Sequence, residues 1–149
     1  MAIKRTLFIS LLLMMFSISK AQRILDYKVK NNLNVKERTM MLDIYRATLY
    51  ESYRQEFEFV VNHFKVYGSY AWMEGTVQRK DGKELKFPDE AYDCCHVEAL
   101  FKKVNGAWVL KANGAFSTDV WYACILSSYP EASRQIFSSN VLTFQTDCE

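Results

Sequence analysis

The feature that most restricts the fold is a change of hydrophobic period at Gln55. Upstream, Met41, Tyr45, Leu49 and Tyr53 recur every fourth residue, with Leu42 beside them. That spacing draws one apolar stripe along a helix of about five turns, over residues 35–55. Lys36, Glu37, Asp43, Arg46, Glu51 and Arg54 fill much of the remaining surface, so the stripe reads as a core-facing side. Asn34 followed by Glu37 has the pattern of a capping box at the helix start. Downstream, Phe57, Phe59 and Val61 alternate, and Phe64 and Val66 continue on the opposite parity. Such a phase slip predicts a strand with a β-bulge near Asn62-His63. A chain that changes from helical to strand periodicity in this way lays a sheet against a helix.

The remaining elements follow from turn chemistry. Gly68 marks a turn, and Tyr70 to Gln78 reads as a second strand with Tyr70 and Trp72 on one face. Asp81-Gly82 is a tight-turn signal, followed by a less regular stretch through Pro88 in which Leu85 to Phe87 is a candidate short strand. Cys95, Val97, Ala99 and Phe101 alternate as a third strand. Val104-Asn105-Gly106-Ala107 is the strongest hairpin signal, because Asn-Gly tolerates the positive φ angles of a type I′ turn. Trp108, Leu110, Ala112 and Phe116 make the returning strand. Asp119 to Phe137 reads as short helical pieces, with Pro130 opening the second, and Val141 to Phe144 as a last edge strand. The expected fold is α+β: one long N-terminal helix packed on a curved antiparallel sheet of about four strands, with short C-terminal helices.

This order of elements resembles the cystatin-like and nuclear transport factor 2-like superfolds. The segments Leu42-Asp43-Ile44-Tyr45-Arg46, Phe59-Val60-Val61, Trp72, Gly106-Ala107-Trp108 and Asp119-Val120-Trp121-Tyr122 are also similar to small exported bacterial proteins without assigned function. The likeness spans roughly residues 36–123 and rests on short, mostly aromatic or apolar motifs. It implies a fold and a compartment and transfers no catalytic residue. These superfolds host enzymes, inhibitors, immunity proteins and ligand-binding modules alike.

The first 21 residues read as a cleavable signal peptide. Lys4 and Arg5 form a short positive region, Leu7 to Ile18 is a nearly unbroken apolar run, and Ser19-Lys20-Ala21 offers small residues at a cut after Ala21. The run is too short for a bilayer-spanning helix, which needs about 20 residues. The expected mature chain, residues 22–149, is a single domain that is periplasmic or secreted and has no membrane anchor after cleavage. Lys4, Arg5 and Lys20 leave with the leader, so 16 Lys and Arg remain against 17 Asp and Glu. A near-neutral domain has no global field to attract nucleic acid or an anionic membrane.

All four cysteines, Cys94, Cys95, Cys124 and Cys148, lie beyond the leader. An even count in a small exported domain points to disulfides. On a strand, Cys94 and Cys95 would face opposite sides. The expected pairing is therefore Cys94 with Cys124 and Cys95 with Cys148; the swapped pairing stands close behind, and a vicinal Cys94–Cys95 bridge ranks last. Zinc competes weakly, because three consecutive ligands in Cys94-Cys95-His96 cannot converge on one ion from a strand. No metal and no cofactor is expected.

Candidate chemistry is sparse. His96 and Glu98, two apart on one strand, share a face and form a potential acid–base pair. Alternation sends Val97, Ala99 and Phe101 to the core, which makes an outer, solvated or hydrogen-bonded face the simpler reading for that pair. His63 is the other histidine. Asp119 suits a helix N-cap, and Trp121 and Tyr122, adjacent on a helix, would point apart, one closing the core and the other lining a pocket mouth. There is no Gly-x-Ser-x-Gly elbow, phosphate loop or zincin helix. The leading expectation is an exported non-catalytic binding module that contacts an envelope protein or a small ligand. Its surfaces would be the 81–90 loop and Asp119–Tyr122, with His96 and Glu98 as further candidates. The alternatives are a small enzyme with His96 and Glu98, or His63, in a pocket, and a structural envelope subunit with a large exposed apolar sheet face.

Overall fold

The computed structural model describes residues 22–87, 92–146 and 148. The leader and the part of the 81–90 loop from residue 88 onward lie outside the described residues. The elements run β1 (Leu25–Asp26), α1 (Val35–Tyr53), β2 (Phe57–Tyr67), β3 (Tyr70–Arg79), β4 (His96–Val104) and β5 (Ala107–Ala115). The tail adds α2 (Ile125–Ser128), a 3-10 turn (Arg134–Ile136) and α3 (Ser139–Thr143). The α+β class holds. The sheet has five strands in the order β1-β2-β3-β4-β5, all antiparallel, and not about four. The additional strand, β1, precedes α1, so the helix is not the first element; two residues carry no readable alternation.

Several local expectations meet the structure. The β2–β3 register shifts between Val61 and His63, where the hydrophobic phase slips. Asn105 and Gly106 adopt φ of 50° and 82°, the positive values that a type I′ turn requires. Others are corrected. Val141–Phe144 is no edge strand: Ser138 accepts the Val141 amide and starts α3. Leu85–Phe87 forms no strand, and Leu85 and Phe87 pack instead on the helix-side core. Asn34 stands at the N-cap of α1 without capping through its side chain. Asn31 takes that role one turn earlier, its Oδ1 accepting the Leu33 and Asn34 amides at 2.9 and 3.1 Å. Glu37 turns instead to Lys103 and the Tyr27 hydroxyl.

The disulfide pairing differs as well. The sulfurs at disulfide distance are those of Cys94 with Cys95 and of Cys124 with Cys148. β4 begins at His96, so strand alternation does not reach Cys94 and Cys95 or part their side chains. The Cys124 amide donates to the Phe144 carbonyl at 3.1 Å, which brings the C-terminal segment alongside and leaves Cα124 and Cα148 5.3 Å apart.

Both faces of the sheet are covered. On one, Met41, Leu42, Tyr45 and Leu49 of α1 pack on Phe57, Phe64, Val97, Phe101 and Phe116. On the other, Tyr122, Ile125, Ile136 and Phe137 of the tail pack on Tyr70, Trp72 and Leu100. The strand period of two sorts neighbouring residues between these cores: Trp72 and Leu100 go to the tail side, Met73 and Ala99 to the helix side.

Candidate functional site

The tail-side core contains a cluster of polar groups. Glu74 and Glu98 are cross-strand partners on β3 and β4, and Glu98 faces Gly114 on β5. Two facing carboxylates repel unless donors offset them, and each has donors. Glu74 Oε1 accepts the Trp72 indole N–H at 2.6 Å. Glu98, only 8% exposed, accepts the Trp121 indole N–H at 3.0 Å through Oε2 and meets His96 Nδ1 at 2.8 Å through Oε1. Gly114 makes the Trp121 position possible, because a Cβ there would lie 1.9 Å from the indole nitrogen.

His96 has an oxygen acceptor at each ring nitrogen, Glu98 at Nδ1 and the Ser117 carbonyl at Nε2, 2.9 Å away. Only the imidazolium, with a proton on both nitrogens, can donate to both. Burial works against that charge, but the Glu98 hydrogen bond and the Glu98 carboxylate charge outweigh it and raise the His96 pKa above its ordinary value. With both nitrogens engaged, the ring has no free lone pair to act as a base. His63 is likewise committed, its Nε2 lying 2.6 Å from the Ile136 carbonyl and joining β2 to the 3-10 turn.

Asp119 to Tyr122 does not begin a helix. The Ser117 hydroxyl accepts the Asp119 amide at 3.1 Å, turns follow, and α2 starts at Ile125. Asp119 is exposed. Because Trp121 and Tyr122 lie in a turn, both reach Trp72, at ring separations of 5.8 and 6.2 Å; the divergence expected of helical neighbours is absent. Tyr122 Oη accepts from Asn140 at 3.2 Å. The structure thus unites His96, Glu98, Trp121 and Tyr122 in one packed cluster, with Asp119 at its margin. Sequence reasoning passed over Trp72 and Glu74 as partners of this cluster. Their signal was the parity they share with His96 and Glu98 on an adjacent strand.

A separate recess lies on the helix side of the sheet. A groove of about 490 Å³ runs between the second half of α1 and the start of β2. Ala47, Tyr50 and Phe57 give it apolar surface, and Asp43, Arg46, Glu51, Glu58 and Lys80 line it with charge. Arg46 is fixed there: Nε donates to the Phe57 carbonyl at 3.0 Å, an N–H of its other end meets Asp43, and the guanidinium lies 5.4 Å from the Phe59 ring centre. Tyr50 is 43% exposed. β1 covers β2 at Lys65 and Val66, so among the described residues the strand edge beside this groove has no neighbouring strand. Among the described residues, no helix is long and apolar enough to cross a membrane.

No family model, curated protein or solved structure matches the chain.

Proposed function

We propose that the chain is an exported, non-catalytic binding module that contacts an envelope protein or a small ligand through the groove between α1 and β2. The leader pattern in residues 1–21 supports export, with residues 22–149 as the mature domain. The helix-then-sheet layout is read as that of the cystatin-like and nuclear transport factor 2-like superfolds. The observation that carries the binding reading is the groove itself: an apolar floor with exposed Tyr50, an anchored Arg46 and an unpaired strand edge alongside. Recognition sites combine these same features, a few fixed polar groups around apolar and aromatic surface. Against the acid–base alternative stand the burial of Glu98 under its Trp121 hydrogen bond and the oxygen partner at each His96 ring nitrogen. The structural-subunit alternative requires a large bare apolar sheet face, and helix and tail cover both faces.

The test is capture from envelope extract on immobilised chain 22–149, in parallel with Tyr50→Ala. Tyr50 is largely outside the core, so its truncation leaves the fold intact. The expected result is a reproducible partner or ligand held by the wild type and lost by the variant. Equal retention by both, or retention of nothing, overturns the reading.

A further inference from the structure

At the other end of α1 the chain builds a rigid loop whose only evident product is a set of apolar side chains held out in water. Asn34 is 3% exposed. Its Oδ1 accepts the Asn31 amide and its Nδ2 donates to the Val29 carbonyl, both at 2.9 Å. Asn31 returns the contact by accepting the Leu33 and Asn34 amides. Arg38 donates from α1 to the Tyr27 and Lys28 carbonyls at 2.8 and 3.3 Å. Buried amides satisfied in this way fix a backbone. The fixed backbone leaves Leu33 94% and Val29 71% exposed, the two most exposed large apolar residues of the described chain.

The charge around them is one-sided. Lys28, Lys30 and Lys36 are all exposed beside Val29 and Leu33, and Arg23 shares a shallow recess with Ile24 and Leu33. Against these stands Asp26, whose carboxylate accepts the Lys28 amide at 2.8 Å. Glu37 is occupied by Lys103 and Tyr27. The near-zero charge of residues 22–149 thus hides a local cationic tip. Projecting apolar side chains ringed by cations fit a lipid interface, where the chains enter the acyl boundary and the ammonium groups stay among anionic headgroups.

We propose that the Val29–Leu33 tip docks the protein peripherally on an anionic membrane surface. Val29 and Leu33 insert, and Lys28, Lys30 and Lys36 hold headgroup phosphates. A 19-residue α1 is about 28 Å long, so the groove at Tyr50 then stands away from the bilayer. The inference goes beyond the binding reading and does not depend on that groove.

Co-sedimentation of chain 22–149, which holds every residue of both cores, tests it with vesicles of phosphatidylcholine alone and of phosphatidylcholine with phosphatidylglycerol. The expected result is binding to the mixed vesicles only, weakened by salt. Leu33→Ser should lower affinity about ten-fold, and Lys30→Gln about five-fold, with no change in melting temperature because both side chains are exposed. Tyr50→Ala should leave vesicle binding unchanged, which separates this proposal from the groove. No binding to mixed vesicles, or binding that Leu33→Ser does not affect, overturns it. So does equal affinity for soluble polyglutamate, which would indicate an acidic macromolecule in place of a membrane.

Discussion

The two faces of the sheet are built on different terms. On the helix side, a single 19-residue helix buries a continuous apolar stripe, and polar groups are few; Tyr45 reaches the Gly114 carbonyl at 2.6 Å. On the tail side, short helical turns cover the strands, Glu98 and Trp72 are buried beneath them, and the half-buried His96 and Trp121 hydrogen-bond to Glu98. The first face is held by area, the second by area plus a set of directional contacts and the Cys124–Cys148 link. Apolar packing tolerates small shifts and is indifferent to pH. A buried hydrogen-bonded carboxylate tolerates neither displacement nor the loss of a partner. The tail face is therefore the one expected to loosen first.

The largest expected effect is that of Trp72→Ala. Trp72 is fully buried where Trp121, Tyr122 and Phe137 converge, and its truncation should cost about 3–5 kcal/mol in urea unfolding. In hydrogen exchange the tail should lose protection before α1 does; simultaneous loss would show that the two faces form one cooperative unit.

Next, replacing Cys124 and Cys148 together by Ser opens a link spanning 24 residues. It should cost about 2–4 kcal/mol, with increased proteolysis confined to residues after Ser117. Mass mapping of the unreduced chain checks the pairing itself, and a Cys94–Cys124 peptide would refute it.

Gly114→Ala should cost about 1–3 kcal/mol by crowding Trp121. It should shift tryptophan emission to longer wavelength as the indole leaves Glu98. Unchanged emission would mean that Trp121 does not rely on the bare backbone of β5.

The smallest effect is on pH dependence. The folded-state pKa of His96 is raised, so the folded chain binds its proton more tightly than the unfolded chain. The resulting stability is fully present below the unfolded value near 6.5 and is lost as pH rises through the folded pKa. Melting temperature should therefore fall as pH rises above about 6.5, and His96→Gln should flatten that part of the profile. An unaltered profile would remove His96 from the contacts that distinguish the tail face.

Much of the helix-side face was legible in the residues. The stripe of Met41, Tyr45 and Leu49, the phase slip at Asn62-His63 and the Asn105-Gly106 turn are each written in a few consecutive positions, and each concerns local geometry. The capping role was misplaced from Asn31 to Asn34 because both are good caps, and the Asn34 side chain turns back to the Asn31 amide and the Val29 carbonyl. The candidate site was half legible: the shared face of His96 and Glu98 follows from strand parity. What covers that face does not, and neither does the recess at Tyr50.

The α+β class, the helix face, the bulge and the hairpin are encoded locally, because backbone periodicity and turn stereochemistry act over short stretches of chain. That residues 117–146 fold back over the sheet, that Cys124 meets Cys148, and that Trp121 lies on Gly114 against Glu98 emerges only from the folded chain. Those outcomes turn on the closure of long loops and on which buried polar groups find partners, energies that no local pattern encodes.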